Sequence, residues 1–146
     1  MSLHSYTKIW LHLIWETKER RKLLNEKAAK VLSEYLFNYS KENKIFMMIN
    51  YVNAEHVHCL IDLPTGISIE DSLKLYKGAS SHFINANNLI PEKFAWSRGY
   101  AAFSVSESQS EKVIQYIKNQ KEHHRVKPFS EEYQEFLDKY KIIVNR

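Results

Sequence analysis

The chain has 146 residues, enough for one domain that buries roughly 68–70 % of its unfolded surface and builds a core unaided. Apolar residues make up 44 % and aromatics abound, with 9 Tyr, 7 Phe and 3 Trp, while 3 Gly and 3 Pro leave little room for long irregular loops. A net charge of +4 suits an anionic partner such as nucleic acid, and no stretch approaches the ~20 apolar residues that a membrane span needs. The sole cysteine, Cys59, excludes an internal disulfide, and Met1-Ser2-Leu3-His4-Ser5 lacks the character of a secretion signal. A cytoplasmic protein with no membrane partner is therefore expected.

Tyr6 to Trp15 is short and rich in aromatic and branched residues, which predicts a first strand. A basic turn follows at Lys18-Glu19-Arg20-Arg21-Lys22. Ala28, Val31, Leu32, Tyr35, Leu36 and Tyr39 then recur at helical spacing and predict an amphipathic helix. Ile45 to Ile49 is apolar on both faces and reads as a buried central strand. In His56 to Leu63, alternation puts Val57, Cys59, Ile61 and Leu63 on one face and His56, His58, Leu60 and Asp62 on the other.

Ser68 with Asp71 predicts a helix start, and that helix should stop near Asn87-Asn88. A loop carries Pro91, Phe94 and Trp96, and Tyr100 to Ser106 is a fourth strand by the alternation of Ala101, Phe103 and Val105. Ser108 and Glu111 read as a capping box for a long helix to about Arg125, and Ser130 as the cap of a last short helix bearing Tyr133, Phe136, Leu137 and Tyr140. With no repeat, linker or low-complexity tract, residues 1–146 make a single domain. The order predicts an α+β fold: a ferredoxin-like βαββαβ antiparallel sheet with additional C-terminal helices. The sheet face bearing His56 and His58 is expected to stay open.

Two imidazoles on one strand face can share a divalent ion, though a third ligand must come from elsewhere. On spacing alone a polar surface pair explains them as well. Tyr116 and Gln120 are one helical turn apart and flank the stripe of Val113, Ile114 and Ile117. Taken alone they read as boundary residues that finish the packing. The Gln120 amide oxygen is nevertheless a candidate to complete a site with His56 and His58, which would put the Tyr116 hydroxyl one turn away.

Together these residues resemble the single-tyrosine transposases of small insertion sequences that move as single-stranded DNA, within the HUH nuclease superfamily. His56-Val57-His58 matches the motif of histidine, hydrophobic residue, histidine, and Tyr116 to Gln120 matches the Tyr-x-x-x-Gln helix. The likeness extends to the basic run near Arg20, to Lys77-Gly78-Ala79-Ser80-Ser81 and to Trp96-Ser97-Arg98-Gly99-Tyr100. Ala54-Glu55 departs from it, since Pro followed by Asp or Asn is expected before the first histidine.

The resemblance implies a DNA strand transferase in which Tyr116 attacks single-stranded DNA, leaving a 5′-phosphotyrosyl link and a free 3′-OH. It implies Mg²⁺ or Mn²⁺ on His56, His58 and Gln120, polarising the scissile phosphate. It further implies hairpin-bearing single-stranded DNA as partner, and a homodimer whose active sites can be shared between subunits. No nucleotide cofactor is expected, because the chain has no G-x-x-x-x-G-K-[ST] loop. Lys18, Arg20, Arg21, Lys22, Arg98, Lys118, Lys121 and Arg125 are candidates for phosphate contacts, although each is by default a solvated charge. His123 and His124 read as a solvated helix end, and His12 is left unassigned.

The alternatives are a non-catalytic nucleic-acid-binding module and a nucleotide hydrolase. RNA-recognition domains share the βαββαβ order but carry aromatics on the third strand where His56 and His58 stand here. A hairpin-binding module derived from a transposase remains open. A histidine-triad hydrolase is excluded by Leu60 at the third position of His-x-His-x-His.

Overall fold

A computed structural model describes residues 5–142; Met1 to His4, read above for a secretion signal, lie outside them. The elements follow as β1 (Trp10–Glu16), α1 (Glu26–Glu42), β2 (Phe46–Val52), β3 (His56–Asp62), α2 (Ile69–Ala86), β4 (Ala101–Val105), α3 (Ser110–Lys118), α4 (Gln120–Val126) and α5 (Phe129–Lys139). The strands form one antiparallel sheet in the order β2-β3-β1-β4, the arrangement the sequence predicts. Among the described residues, no helix is long and apolar enough to cross a membrane.

Period-two alternation sorts the strands into two faces. Leu11, Leu13 and Trp15 of β1 and Val57, Cys59 and Ile61 of β3 point toward α1 and α2. There they meet Ala28, Leu32 and Leu36, spaced one turn apart on α1, and Leu73, Tyr76 and Ile84 of α2. Complete burial of a leucine such as Leu32 or Leu36 contributes roughly 1.5–3 kcal/mol each. Both helices start where a side chain satisfies a free backbone N–H: Asn25 accepts from Ala28 and Ser68 from Asp71.

The second face is covered rather than open. Trp10, Leu60 and Val105 pack under Val113, Ile114 and Ile117 of α3. Ile14, Ala101 and Phe103 pack under Phe129, Tyr133, Phe136, Leu137 and Tyr140 of α5. Apolar strand residues on that face need a cover, and the two C-terminal amphipathic helices provide it.

Four local expectations are corrected. The first strand begins at Trp10, with Tyr6 and Ile9 exposed outside it. The second strand is an edge strand, so Phe46 and Met48 are exposed, and its register slips at a bulge between Met47 and Ile49. The long helix is interrupted at Asn119, a residue whose side chain competes with helical hydrogen bonding, and resumes as α4 at Gln120. Neither C-terminal cap is made as expected. Ser108 sits in a tight turn at Glu107–Gln109 while the Ser110 hydroxyl donates to the Glu107 carbonyl, and α5 starts after Pro128, with Ser130 inside it.

Candidate active site

The site is built on the second face where β3 and β1 lie side by side. His56 and His58 are both fully buried, and their Nε2 atoms approach to 3.2 Å. Each ring is held from behind. Glu55 accepts from His56 Nδ1 at 2.7 Å, and His58 Nδ1 pairs with His12 Nε2 at 2.8 Å. With a proton on each Nδ1, both Nε2 lone pairs face the same point, an arrangement typical of metal-ligating histidines. Glu55 therefore supports His56 from the position where the sequence departs from the motif, and His12, left unassigned above, supports His58.

Burial dominates the electrostatics. It works against a charged His56, but the neighbouring carboxylates of Glu132 and Glu55 outweigh it and raise the pKa above the ordinary imidazole value. His58 and His12 are held well below that value, first by burial and then by the adjoining histidine, His56 for His58 and His58 for His12. Burial also opposes the Glu55 carboxylate, yet its bond to His56 lowers its pKa overall. The cluster thus keeps most of its imidazoles neutral, the form that binds metal.

Gln120 is fully buried at the start of α4, within hydrogen-bond distance of His124. Its Oε1 accepts from Asn53 Nδ2 at 3.3 Å and pairs with His124 Nε2 at 2.9 Å, and its amide donates to Glu132 at 3.3 Å. His124 and Glu132 went unremarked as site residues in the sequence. Glu132 Oε1 lies 3.3 Å from His58 Nε2, 3.6 Å from His56 Nε2 and 3.2 Å from His124 Nε2. His124 is not the solvated residue expected; its pKa is lowered to about 4, by burial and then by His56.

A signal for both residues existed. His124 follows Gln120 by one turn. Glu132 falls at helical spacing between Phe129 and Phe136, so it is the one carboxylate on the buried stripe of α5.

Tyr116 comes from the last part of α3, with its ring 5.7 Å from that of His58 and 5.0 Å from that of His123. Its hydroxyl is buried and has no hydrogen-bond partner among the described residues. A buried hydroxyl left unsatisfied costs free energy and marks a site arranged for something other than stability.

Two cavities flank the cluster. One of about 750 Å³ opens beside Glu55 and His124, with Arg20, Lys22, Lys121 and Arg125 on its walls. The other, about 700 Å³, is lined by Tyr116 and His123 together with Lys112 and Lys139. Four of the eight basic candidates thus converge. Lys18 and Arg21 are exposed on the same basic turn, Lys118 is exposed on α3, and Arg98 borders a separate small cleft with Tyr133. Several carry internal partners: Arg20 pairs with Glu16 and lies 5.2 Å from the Phe129 ring, Arg21 pairs with Glu92, and Arg125 pairs with Glu122.

Residues 5–120 match the family described as transposase, IS200 like. A crystal structure from Deinococcus radiodurans R1, provisionally named a transposase, is 29 % identical, aligns over 82 % of this chain and 96 % of its own, and has a TM-score of 0.64. A REP-associated tyrosine transposase solved with a REP hairpin shares the fold at 17 % identity, with a TM-score of 0.61 over 85 % of this chain and 74 % of its own. No curated protein matches. With the family match running from before β1 through Gln120, the chain belongs to the IS200-like transposases.

Proposed function

We propose that this protein nicks and rejoins hairpin-bearing single-stranded DNA, with Tyr116 as nucleophile and a divalent ion assisting. The observation that carries this reading is the Tyr116 hydroxyl, buried without a partner beside the His56–His58 pair. The hairpin part draws support from the structurally similar tyrosine transposase solved with a REP hairpin.

In the proposed step the Tyr116 oxygen bonds to phosphorus, the P–O3′ bond breaks, and the freed 3′ oxygen takes up a proton as the phenol loses one. The product is a 5′-phosphotyrosyl ester, and attack by another 3′-OH reverses the step without ATP. A phenol with an ordinary pKa near 10 needs such help to act as a nucleophile near neutral pH. A bound divalent ion, Mg²⁺ or Mn²⁺ by family resemblance, would supply Lewis acidity to a phosphate oxygen and stabilise charge on the leaving oxygen.

His56 and His58 would hold that ion, with Gln120, His124 and Glu132 as the further donors within reach. Glu55 and His12 keep the two rings oriented. Arg20, Lys22, Lys121 and Arg125 would contact backbone phosphates, a role supported by their sharing the walls of the neighbouring cavity. The family resemblance also suggests a homodimer whose active sites can be shared between subunits; within one chain the Tyr116 ring lies 5.7 Å from that of His58.

The test is incubation of the protein and its Tyr116→Phe variant with labelled hairpin-bearing single-stranded DNA, with and without Mg²⁺ or Mn²⁺. A denaturant-resistant protein–DNA adduct that requires both metal and Tyr116 is expected. Hairpin binding without any adduct would leave a non-catalytic binding module.

A further inference from the structure

Four donor atoms, one each from His56, His58, His124 and Glu132, lie within 4.8 Å of one another. The edges through Glu132 Oε1 measure 3.3, 3.6 and 3.2 Å, and the edge between His56 and His58 measures 3.2 Å. A tetrahedral ion with bonds of about 2.0–2.1 Å separates its ligand atoms by about 3.3 Å. The spacing is therefore that of a coordination shell, and small side-chain rotations close it. Glu132, His56 and His58 are buried, so water has little room to keep these lone pairs apart.

We propose that His124 and Glu132 join His56 and His58 as metal ligands, forming a three-imidazole, one-carboxylate site that selects a first-row transition-metal ion over Mg²⁺. The proposal rests on the reading above only in taking His56 and His58 as ligands. Both added residues lie beyond residue 120, where the family match ends. Imidazole nitrogen suits ions such as Mn²⁺, Co²⁺ and Zn²⁺, whereas Mg²⁺ favours six oxygen ligands and keeps several waters. A buried, nitrogen-rich cluster meets the first requirement and not the second.

Gln120 then serves as a positioning residue. Its amide holds the Glu132 carboxylate at 3.3 Å, while its oxygen faces Asn53 and His124. On metal binding His124 Nε2 gives up its contact with Gln120, loses any proton it carries, and turns its lone pair to the ion.

The test uses the full-length protein, stripped of metal and titrated with Co²⁺ while the visible spectrum is followed. Four-coordinate Co²⁺ absorbs intensely there and six-coordinate Co²⁺ only weakly. One Co²⁺ per chain with the intense spectrum is expected, unmoved by millimolar Mg²⁺. His124→Ala and the isosteric Glu132→Gln should each lose intensity and bind at least about tenfold more weakly. Gln120→Ala should keep the four-coordinate spectrum.

A weak spectrum in the unmodified protein, displaced by Mg²⁺, would overturn the proposal without any variant having to fold. So would binding that depends on His58 and Gln120 but not on His124 or Glu132; that outcome leaves metal-assisted nicking standing. No Co²⁺ binding, with Tyr116-dependent adducts still forming in chelator, would sink the metal reading as well.

Discussion

Glu55 offers a direct probe of how the histidine pair is tuned. It directly precedes His56, and its carboxylate accepts from His56 Nδ1 at 2.7 Å. That contact fixes the tautomer that leaves Nε2 free. Glu55→Ala removes both the acceptor and the charge; Glu55→Gln keeps an acceptor oxygen and removes only the charge. Partners of metal-bound histidines typically contribute about 10–100-fold in metal affinity, or about 1.4–2.7 kcal/mol. The full range is expected for Glu55→Ala, because the bond is short and charge-assisted, and a smaller loss for Glu55→Gln. Glu55 lines the edge of a cavity, so truncation opens no sealed void and the fold should persist. Competition with a chromogenic chelator for Mn²⁺ or Zn²⁺, alongside far-ultraviolet circular dichroism, measures the effect. A folded Glu55→Ala variant that binds as tightly as the parent would refute the argument that His56 presents Nε2 because Glu55 holds Nδ1.

Three further outcomes follow from the same geometry. Tyr116→Phe deletes a buried hydroxyl that lacks a partner, so urea unfolding should show stability unchanged or raised by up to about 1–3 kcal/mol, even as adduct formation is lost; a clear destabilisation would mean that the hydroxyl is satisfied after all. Mixing Tyr116→Phe subunits with His58→Ala subunits should not restore cleavage, because Tyr116 lies beside His58 of its own chain; recovered cleavage in a gel assay would show that tyrosine helices are exchanged. Burial pushes the Cys59 thiol up, so at pH 8 it remains a thiol rather than the reactive thiolate. A disulfide reagent should therefore react only after denaturant is added, and rapid reaction in the native state would contradict the packing of β3 against α1 and α2.

The strand and helix order was legible because each element carries a pattern with one physical reading. The alternation through His56–Leu63 and the turn-by-turn leucines of α1 are examples. The histidine pair and the Tyr116–Gln120 spacing were legible for the same reason. What escaped the reading was placement. The stripe of Phe129, Tyr133, Phe136, Leu137 and Tyr140 announced an amphipathic helix, but local periodicity does not say which surface it covers. Once α5 is known to lie on the second face, Glu132 becomes a buried carboxylate facing four imidazoles instead of one acidic residue among several. His124 was hidden for the same reason: next to His123 and Arg125 it reads as a polar helix end, and only the placement of Glu132 and Gln120 beside it shows otherwise.

The second sheet face explains why such a cluster can exist in so small a domain. Its apolar positions fall into two groups, Trp10, Leu60 and Val105 under α3, and Ile14, Ala101 and Phe103 under α5. His12, His56 and His58 lie between the groups, so the helices on either side exclude water from them without needing favourable contacts to the histidines themselves. Phe129 makes the point locally: its ring stacks on His56 at 3.7 Å while its helix carries Glu132 toward the same histidine. A buried carboxylate among imidazoles is costly by itself, and the Gln120 amide that donates to it reduces that cost without removing it. The apolar packing on both flanks offsets the remainder. The polar strip is thus a local sacrifice of stability that the surrounding fold can sustain, as expected where residues are kept for chemistry.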